Sequence, residues 1–410
     1  MPAAQLASVL ADELGPGWRA KVGTFDATPV AAASIGQVHA ATLPDGRPVA
    51  MKVQYPGVAD SIVSDVDNLL RLVSLTGALP RGAFVEAAAA VAKKELAAEC
   101  DYLGEAAAAE RYASLLAADD DPALTSTVAA PAVVRGLTSR RVLTTTWAGG
   151  DPIDALAGGP PGPGGSPARP PAPQAVRDAA GTALLRLTLR ELFEWRFMQT
   201  DPNWGNFLYD PETGVLTAID FGACREFAPE FVGPYRDMVV ACAVGDGPAV
   251  LARSTELGFL TGDEAPVMVD AHLAAAMAVG RPFGADGGPG RGGLFDFSTG
   301  GSGGGGSAAA TLTADVRAAG STMLSHRLVP PPEEAYSLHR RLSGAFLACI
   351  KLGARVPARE LLAQQLERVG DAAAAAAVRA TGGEEKDGGE GEAAVTPRKR
   401  AAGRKKAGGA

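Results

Sequence analysis

Two aspartates and an asparagine stand close together in the segment MQTDPNWGNFLYDPETGVLTAIDFG, residues 198–222. Asp201 is followed five positions later by Asn206, and Asp220 follows an apolar stretch that is typical of a strand. Carboxylate and amide oxygens are the ligands that Mg²⁺ prefers, and Mg²⁺ neutralises the negative charge of transferring phosphoryl groups. The three residues therefore predict a site for a nucleotide and its metal ion.

A lysine upstream supplies the positive charge that such a site needs. Lys52 lies in PVAMKVQY, and a lysine on an interior strand is costly unless its ammonium group meets an anion. V-A-M-K fits the V-A-I-K strand motif of kinases, and Asp201 to Asn206 has the D-x4-N spacing of a kinase catalytic loop. Each motif alone is weak. Their order along the chain, with Asp220-Phe-Gly last, favours a nucleotide and metal site.

Acidic residues that could pair with the lysine lie in LAAECDYLGEAAAAER, residues 96–111. Glu99 and Glu105 are the candidates, and Asp101 shares a helix face with Glu105 because the two are four positions apart. An ordinary charged helix face would show the same pattern. The surrounding motifs are what favour a functional role.

Three departures set this chain apart from ordinary protein kinases. The segment Ala31-Ala32-Ala33-Ser34 stands where a glycine-rich loop should cover the phosphates, and alanine lacks the positive-φ freedom of glycine. No His-Arg precedes Asp201, and only five residues separate Asp220-Phe-Gly from Ala228-Pro229-Glu230, which is too short for an ordinary activation loop. The sequence therefore does not predict activation-loop control or a platform for peptide substrates.

Composition excludes several other classes of protein. The 410 residues carry a formal net charge of −8, which argues against a general nucleic-acid binder. The four cysteines form no CxxC pair and are interpreted as reduced thiols, and no metal-ligand spacing of His or Cys occurs. No apolar run reaches the roughly 18 residues of a membrane span. The first twenty residues do not resemble a secretory signal or transit peptide.

The hydrophobic pattern predicts an α+β protein with two lobes. A short helix in residues 1–25 precedes three strands between 25 and 53, which are joined in part by a Pro-Asp-Gly turn. The pattern then predicts helices over 60–76 and 84–118, strands near 132–135 and 141–146, a Gly149-Gly150 joint, a helix over 174–198, and helices after Phe227.

These elements define an N-terminal lobe over 1–148 and a helical C-terminal lobe over 149–381. Glycine-rich and proline-rich stretches near 158–173 and 284–307 are predicted to be flexible insertions. Residues 382–410, acidic and then basic, are predicted to be a disordered tail.

Five segments together carry a resemblance to a known family: AAASIGQVH, VAMKVQYPGV, ECDYLGEA, MQTDPNWGNFLYD and IDFGACREF. They resemble the UbiB family of atypical protein-kinase-like proteins, and most closely its mitochondrial coenzyme Q branch. The resemblance covers most of residues 10–370 outside the two insertions. It implies a two-lobed protein-kinase-like fold.

The resemblance also implies a role for each matching residue. Lys52 would contact the nucleotide phosphates and pair with Glu105, and Asp201 would be the catalytic-loop aspartate. The other implied roles are an alanine-rich loop (Ala31, Ala32, Ala33, Ser34), an ExD motif (Glu99, Asp101), metal ligands (Asn206, Asp220) and an adenine-binding hinge (Thr145, Thr146, Trp147) that acts through its backbone.

By resemblance, the cofactors would be ATP and Mg²⁺, and ATPase or phosphotransferase activity would support ubiquinone biosynthesis at the matrix face of the inner mitochondrial membrane. Quinone-precursor lipids, a coenzyme Q biosynthetic complex and the membrane surface would be partners, and nucleic acid would not. Phosphorylation of other proteins is not expected. A pseudokinase-type regulator or scaffold, a small-molecule phosphotransferase, and a plastid location remain alternatives.

One family motif is missing from the expected place. Family members carry a KxGQ motif upstream of the alanine-rich loop, and none occurs before Ala31. We expect either a truncated start or a member that has lost this inhibitory element. Autoinhibition, targeting and membrane attachment therefore stay open at the level of sequence.

Overall fold

The structure is a computed structural model that describes residues 1–58, 85–159, 168–284, 293–298 and 308–381. The predicted helix over 60–76 and the charged tail over 382–410 lie outside the described residues. So do the central parts of both predicted insertions, residues 160–167, 285–292 and 299–307.

A four-stranded antiparallel sheet forms the centre of the N-terminal lobe. Its strands are β1 (Thr24–Ala33), β2 (Gly36–Thr42), β3 (Pro48–Gln54) and β5 (Val142–Thr146), in the order β1-β2-β3-β5. Val49, Met51 and Val53 on β3 are fully buried beneath helix α1 (Ala3–Leu14), because alternate side chains of a strand point to one face. Lys52 therefore lies on the opposite face of the sheet, as the period-two pattern predicted.

Two helices follow the sheet where the sequence predicted a single helical region. Helix α2 (Val85–Glu99) ends at Cys100, and helix α3 (Tyr102–Ala118) begins after Asp101, which has non-helical backbone angles. This break separates Glu99 from Glu105 and lets the two carboxylates approach the same cleft from different helices.

The strand predicted near 132–135 is wrong in its position. A two-residue strand, β4 (Val128–Ala129), comes earlier, and Val133 forms only an isolated bridge to Thr145. Residues Arg135–Leu137 form a 3₁₀ turn. Pro131 lies between these pieces, and proline has no N–H to donate to a strand ladder.

The C-terminal lobe is built around helix α4 (Gln174–Arg190), whose second half is buried almost completely. The predicted helix over 174–198 ends early, because a π-helical turn (Glu191–Trp195) and the left-handed Arg196 (φ 51°) redirect the chain into strand β7 (Phe197–Gln199). Strand β7 pairs with β10 (Cys224–Glu226), and this pairing requires extended backbone.

Short strands and further helices complete this lobe. The sheet order is β4-β9-β8-β6, with β6 (Asp151–Pro152), β8 (Phe207–Asp210) and β9 (Val215–Ala218). The helices after it are α5 (Pro229–Val244), α6 (Gly247–Glu256), α7 (Pro266–Gly280), α8 (Ala308–His326), α9 (Glu333–Leu352), α10 (Ala358–Arg368) and α11 (Ala372–Ala380), and a single helical turn (Pro122–Thr125) precedes β4.

The described parts of both predicted insertions make defined contacts, and the flexibility of the insertions stays a prediction. Phe295 and Phe297 are buried in the core, because two aromatic rings within three residues carry more apolar surface than a solvated linker would expose. Strand β11 (Phe295–Asp296) pairs with β12 (Arg355–Val356). At the other insertion, the backbones of Gly159 and Arg169 hydrogen bond to each other in both directions.

Two further expectations concern membrane spans and cysteines. Within the described ranges, no helix combines the length and the apolar character that crossing a bilayer requires. All four cysteines are free thiols, as predicted, and they are Cys100, Cys224, Cys242 and Cys349.

Candidate active site

Lys52 and two carboxylates join the lobes at the centre of the cleft. The Lys52 ammonium group donates to both Glu105 oxygens at 3.0 Å and to Asp220 Oδ2 at 3.1 Å. Strand β3 supplies the lysine, the first turn of α3 supplies the glutamate, and the segment after β9 supplies the aspartate. The predicted pairing of Lys52 with Glu105 is therefore present, and it places the positive charge beside Asp220.

The ionisation of this cluster reflects a balance between burial and charge. Burial acts to lower the pKa of Lys52, but the carboxylates of Glu105 and Asp220 outweigh it and raise that pKa, so the ammonium form is secured. Burial raises the pKa of Glu105 to about 7, and the nearby Asp220 adds to the effect while Lys52 opposes it. Lys52 is thus a fixed cation held between the carboxylates of Glu105 and Asp220.

The predicted catalytic loop is held in one conformation by its own hydrogen bonds. Asn206 Nδ2 donates to Asp201 Oδ2 at 2.6 Å, and the Asn203 backbone N–H donates to Asp201 Oδ1 at 3.2 Å. Because the amide nitrogen of Asn206 faces Asp201, its amide oxygen points to the other side. That orientation suits the predicted role of Asn206 as a metal ligand.

The loop also packs tightly on the helical lobe. Gly344 on α9 lies so close to Pro202 that an added Cβ would approach the Pro202 Cβ to 2.6 Å. The indole N–H of Trp204 donates to the carbonyl of Gly344 at 3.2 Å. The catalytic loop is therefore packed directly against α9.

Asp220-Phe-Gly is fixed by backbone and aromatic contacts. Asp220 Oδ1 accepts a hydrogen bond from the Gly222 N–H at 3.1 Å, which leaves Oδ2 facing Lys52. The Phe221 ring is buried and lies 4.9 Å, centroid to centroid, from the ring of Tyr112 on α3. The helix that carries Glu105 thereby also positions the segment that carries Asp220.

The alanine-rich segment is part of a strand hairpin. Ala31, Ala32 and Ala33 are the last residues of β1 and pair with β2, and the turn itself is made by Ser34 and Ile35. Ser34 Oγ donates to Glu99 Oε2 at 3.3 Å. The end of the hairpin thus contacts the glutamate of the predicted ExD motif.

Glu99 lies near the other acidic residues of the cleft. Burial raises its pKa, and the negative charges of Asp220 and Asp201 raise it further. Asp101, the other half of the predicted motif, is exposed, and its carboxylate lies over Gly104 at the start of α3. The structure therefore brings Glu99, and not Asp101, to the group of carboxylates.

Ion pairs hold helix α2 on the C-terminal lobe. Arg340 on α9 donates to both oxygens of Glu95 at 2.8 and 2.9 Å. Lys94 donates to Glu333 at 3.0 Å. These contacts keep Glu99, at the end of α2, above the catalytic residues.

The predicted hinge is already engaged in backbone hydrogen bonds. The N–H of Thr146 donates to the Ala132 carbonyl at 2.8 Å, and the N–H of Trp147 donates to the Pro48 carbonyl at 3.0 Å. Thr145 pairs with Ala50 on β3. Recognition of adenine by this segment would therefore use carbonyl groups or the residues that follow Trp147.

The residues present fit a magnesium ion together with phosphate groups. Across the described residues, no group of three or more His, Cys, Asp or Glu side chains is arranged as a metal site. Mg²⁺ usually binds through one or two carboxylates together with substrate phosphates, so Asp220 and the amide oxygen of Asn206 suffice. The carboxylates of Asp220 and Asp201 repel that of Glu99, and a divalent cation bound near them would reduce this repulsion.

Sequence reasoning missed two tyrosines that shape the site. The Tyr102 ring lies 5.0 Å from the Lys52 ammonium group, and Tyr112 packs against Phe221. Tyr102 is three positions before Glu105, so it shares that helix face, and this spacing is the signal that could have identified it.

Comparison with known proteins identifies the family. The family model of the ABC1 atypical kinase-like domain matches residues 1–254, which is more than half of the chain. The chain belongs to the ABC1 atypical kinase-like family. The catalytic-loop and Asp-Phe-Gly residues described above all fall within the matched part of this ABC1 protein.

Curated relatives of this ABC1 protein include the atypical kinase COQ8B, mitochondrial, of Rattus norvegicus, which is 46% identical over 368 residues. The alignment covers 90% of this chain and 63% of the rat protein. The atypical kinase COQ8, mitochondrial, of Saccharomyces cerevisiae is 40% identical over 361 residues, covering 88% of this chain and 66% of the yeast protein. The chain thus spans about two thirds or less of the length of these relatives.

A solved structure supports the fold. The complex of Rv3197 with erythromycin from Mycobacterium tuberculosis aligns with a TM-score of 0.62 and 24% sequence identity. The alignment covers 91% of this chain and 84% of the other. The predicted α+β kinase-like architecture is therefore confirmed at the level of the fold.

Proposed function

We propose that this protein binds Mg²⁺-ATP between its lobes and hydrolyses it or transfers its γ-phosphoryl group, as an atypical kinase that supports ubiquinone biosynthesis. The observation that carries the proposal is the position of Lys52 between Glu105 and Asp220, beside the ordered Asp201–Asn206 loop. One fixed cation, one oriented carboxylate and one oriented amide are what phosphoryl transfer asks of a protein.

Each residue has a distinct task in this proposal. Lys52 binds phosphate oxygens and stabilises the negative charge that develops on them. Asp201, held by Asn203 and Asn206, accepts a hydrogen bond from the attacking hydroxyl group or water and receives its proton. Asp220 and Asn206 would hold Mg²⁺, which supplies charge neutralisation and alignment of the phosphates when bound.

The expected setting of the activity follows from the relatives. The rat and yeast proteins are both named mitochondrial atypical kinases. We infer a mitochondrial location for this protein, at the matrix face of the inner membrane, with quinone-precursor lipids and the coenzyme Q biosynthetic complex as partners. Peripheral contact with the membrane belongs to the same proposal.

A regulator that binds nucleotide without turnover is the second candidate. The contact of Ser34 with Glu99 and the ion pairs of α2 with α9 favour it, because they cover the cleft from two sides. The same cover leaves little room for a protein substrate. It is compatible with water or a small hydroxyl compound as the acceptor.

Steady-state ATP turnover and Mg²⁺-ATP binding distinguish these candidates. We expect Asp201→Asn to lower turnover by about 10² or more while nucleotide binding is retained, because it removes the proton acceptor alone. Asp263→Asn, in an exposed loop, is the matched control and should behave like the wild type. Normal turnover by Asp201→Asn would contradict the enzymatic proposal. Tight binding with no turnover in the wild type would establish the regulator.

A further inference from the structure

A second cavity lies inside the C-terminal lobe, among helices α5, α7, α8 and α9. Its volume is about 220 Å³, and its lining does not include the residues of the nucleotide site. Five aromatic side chains line it: Tyr235, Phe259, His272, Phe283 and His339. The cavity is thus a separate, mainly apolar and aromatic space.

The size and the lining suit a single aromatic ring. A dry cavity of roughly 150 Å³ lined by apolar side chains is large enough to hold benzene, so this one also has room for a small substituent. Phe259 and His339 are stacked at 5.5 Å with an angle of 7° between their planes. Offset stacking and edge contacts with such side chains would favour a ring over a flexible chain.

Arg327, just after α8, supplies a cationic group to the cavity. Its Nη1 is buried and has no hydrogen-bond partner among the described residues, and its Nη2 contacts the Met323 sulfur at 3.7 Å. A buried guanidinium nitrogen that lacks a partner carries a desolvation penalty, which an anionic ligand would remove. Carboxylates match the planar guanidinium group in geometry.

The two histidines do not add positive charge. Burial lowers the pKa of His272 to about 4, and it does the same for His339, so both rings are neutral at pH 7. His272 Nε2 is already within 2.8 Å of Ser254 Oγ. Arg327 is therefore the charged side chain that lines this cavity.

We propose that this cavity binds a small aromatic carboxylate, with its ring beside Phe259 and His339 and its carboxylate on Arg327. This inference goes beyond the proposed activity and does not depend on it, because no residue of the nucleotide site lines the cavity.

Calorimetric titration of the purified chain with 4-ethylbenzoate tests the proposal. We expect saturable binding at one site, and binding of the uncharged 4-ethylbenzamide that is at least about tenfold weaker, because the amide cannot form a charge-assisted pair with Arg327. Arg327→Met should remove this preference for the carboxylate. Arg317→Met, an exposed arginine on α8, is the matched control and should preserve it.

A second pair of variants tests the position of the ligand. Ala275 lines the cavity from α7, and Ala275→Phe should fill it and abolish binding. Ala274→Phe places the same side chain at the neighbouring exposed position and should leave binding unchanged. Absence of binding to the wild type, equal affinity for the benzamide, or normal binding by Ala275→Phe would overturn the proposal. Octanoate that binds as tightly as 4-ethylbenzoate would overturn the assignment of an aromatic ligand.

Discussion

Lys52 illustrates how one residue connects the two lobes through charge. Its side chain is only 16% exposed and meets a glutamate that is 1% exposed. Removing one member of a buried ion pair leaves an uncompensated charge, whereas removing both can cost little. We therefore expect the loss of one partner to destabilise the protein more than the loss of both partners.

A double-mutant cycle measures this effect. We expect Lys52→Met to lower the free energy of unfolding by about 3 kcal/mol. The substitution removes the cation shared by Glu105 and Asp220, so that the buried Glu105 carboxylate is left beside a second carboxylate. Lys52→Met combined with Glu105→Gln should recover part of that loss. Urea denaturation provides the measurement, and Lys351→Met, at an exposed position on α9, is the control. Strictly additive effects of the two substitutions would contradict the pairing.

The alanine-rich segment gives a second prediction at the scale of single residues. Ala32 pairs with Gln37 in extended backbone, so glycine is not required there by the backbone angles. We expect Ala32→Gly to loosen the end of β1, because glycine gains backbone freedom, and to change the ratio of ATP to ADP affinity. Competition binding with the two nucleotides measures this ratio. An unchanged ratio would show that the alanines have no special role in nucleotide choice.

At the scale of helices, α7 carries a buried neutral histidine into the second cavity. Burial lowers the pKa of His272 from its ordinary 6.5 to about 4. Between these values the unfolded chain binds a proton that the folded chain does not, so the free energy of unfolding falls as the pH drops. The expected contribution of His272 to this fall, from pH 7 to pH 5, is about 2 kcal/mol.

Urea denaturation at both pH values tests the histidine. His272→Gln should flatten the pH dependence by about 2 kcal/mol, since glutamine does not titrate in this range. His326→Gln alters an exposed histidine on α8 and should leave the slope as it is in the wild type. An unchanged slope in His272→Gln would show that His272 is not neutral in the folded chain.

Elements differ in how well the sequence predicts them. The β1 to β3 strands and the β3 lysine were predictable, because period-two burial and a costly interior charge are local signals. The break between α2 and α3 was not predictable, because the alanine-rich sequence favours helix throughout. The reason for the break is tertiary: Glu99 contacts Ser34 from the end of α2, while Glu105 contacts Lys52 from α3. Phe295 and Phe297 were missed because glycine-rich surroundings masked two aromatic residues that the core requires.

The candidate site shows the same division. The sequence order of Lys52, Asp201, Asn206 and Asp220 was sufficient to predict a shared site, and the structure brings Lys52 to Asp220 and Asn206 to Asp201. The role of Asp101 stays a prediction, and the structure places its carboxylate over Gly104. The packing of Tyr112 on Phe221 depends on a contact between distant segments, which no local pattern reports.

At the scale of the whole molecule, charge at the cleft links the lobes. Asp220 from the C-terminal lobe forms an ion pair with Lys52 from the N-terminal lobe. A second ion pair, between Glu95 on α2 and Arg340 on α9, also joins the two lobes. A ligand that engages Lys52 and Asp220 together would stabilise both lobes at once. Binding to the folded state alone raises stability in proportion to the logarithm of ligand concentration.

Thermal unfolding with and without Mg²⁺-ATP, beside Asp220→Asn, tests the central claim most directly. At ~100 times the dissociation constant, we expect Mg²⁺-ATP to stabilise the wild type by roughly 2.7 kcal/mol. The increase should disappear when the metal is chelated and in Asp220→Asn, and it should persist in the Asp263→Asn control. An equal increase in Asp220→Asn, or none in the wild type, would contradict a nucleotide and metal site built on Asp220.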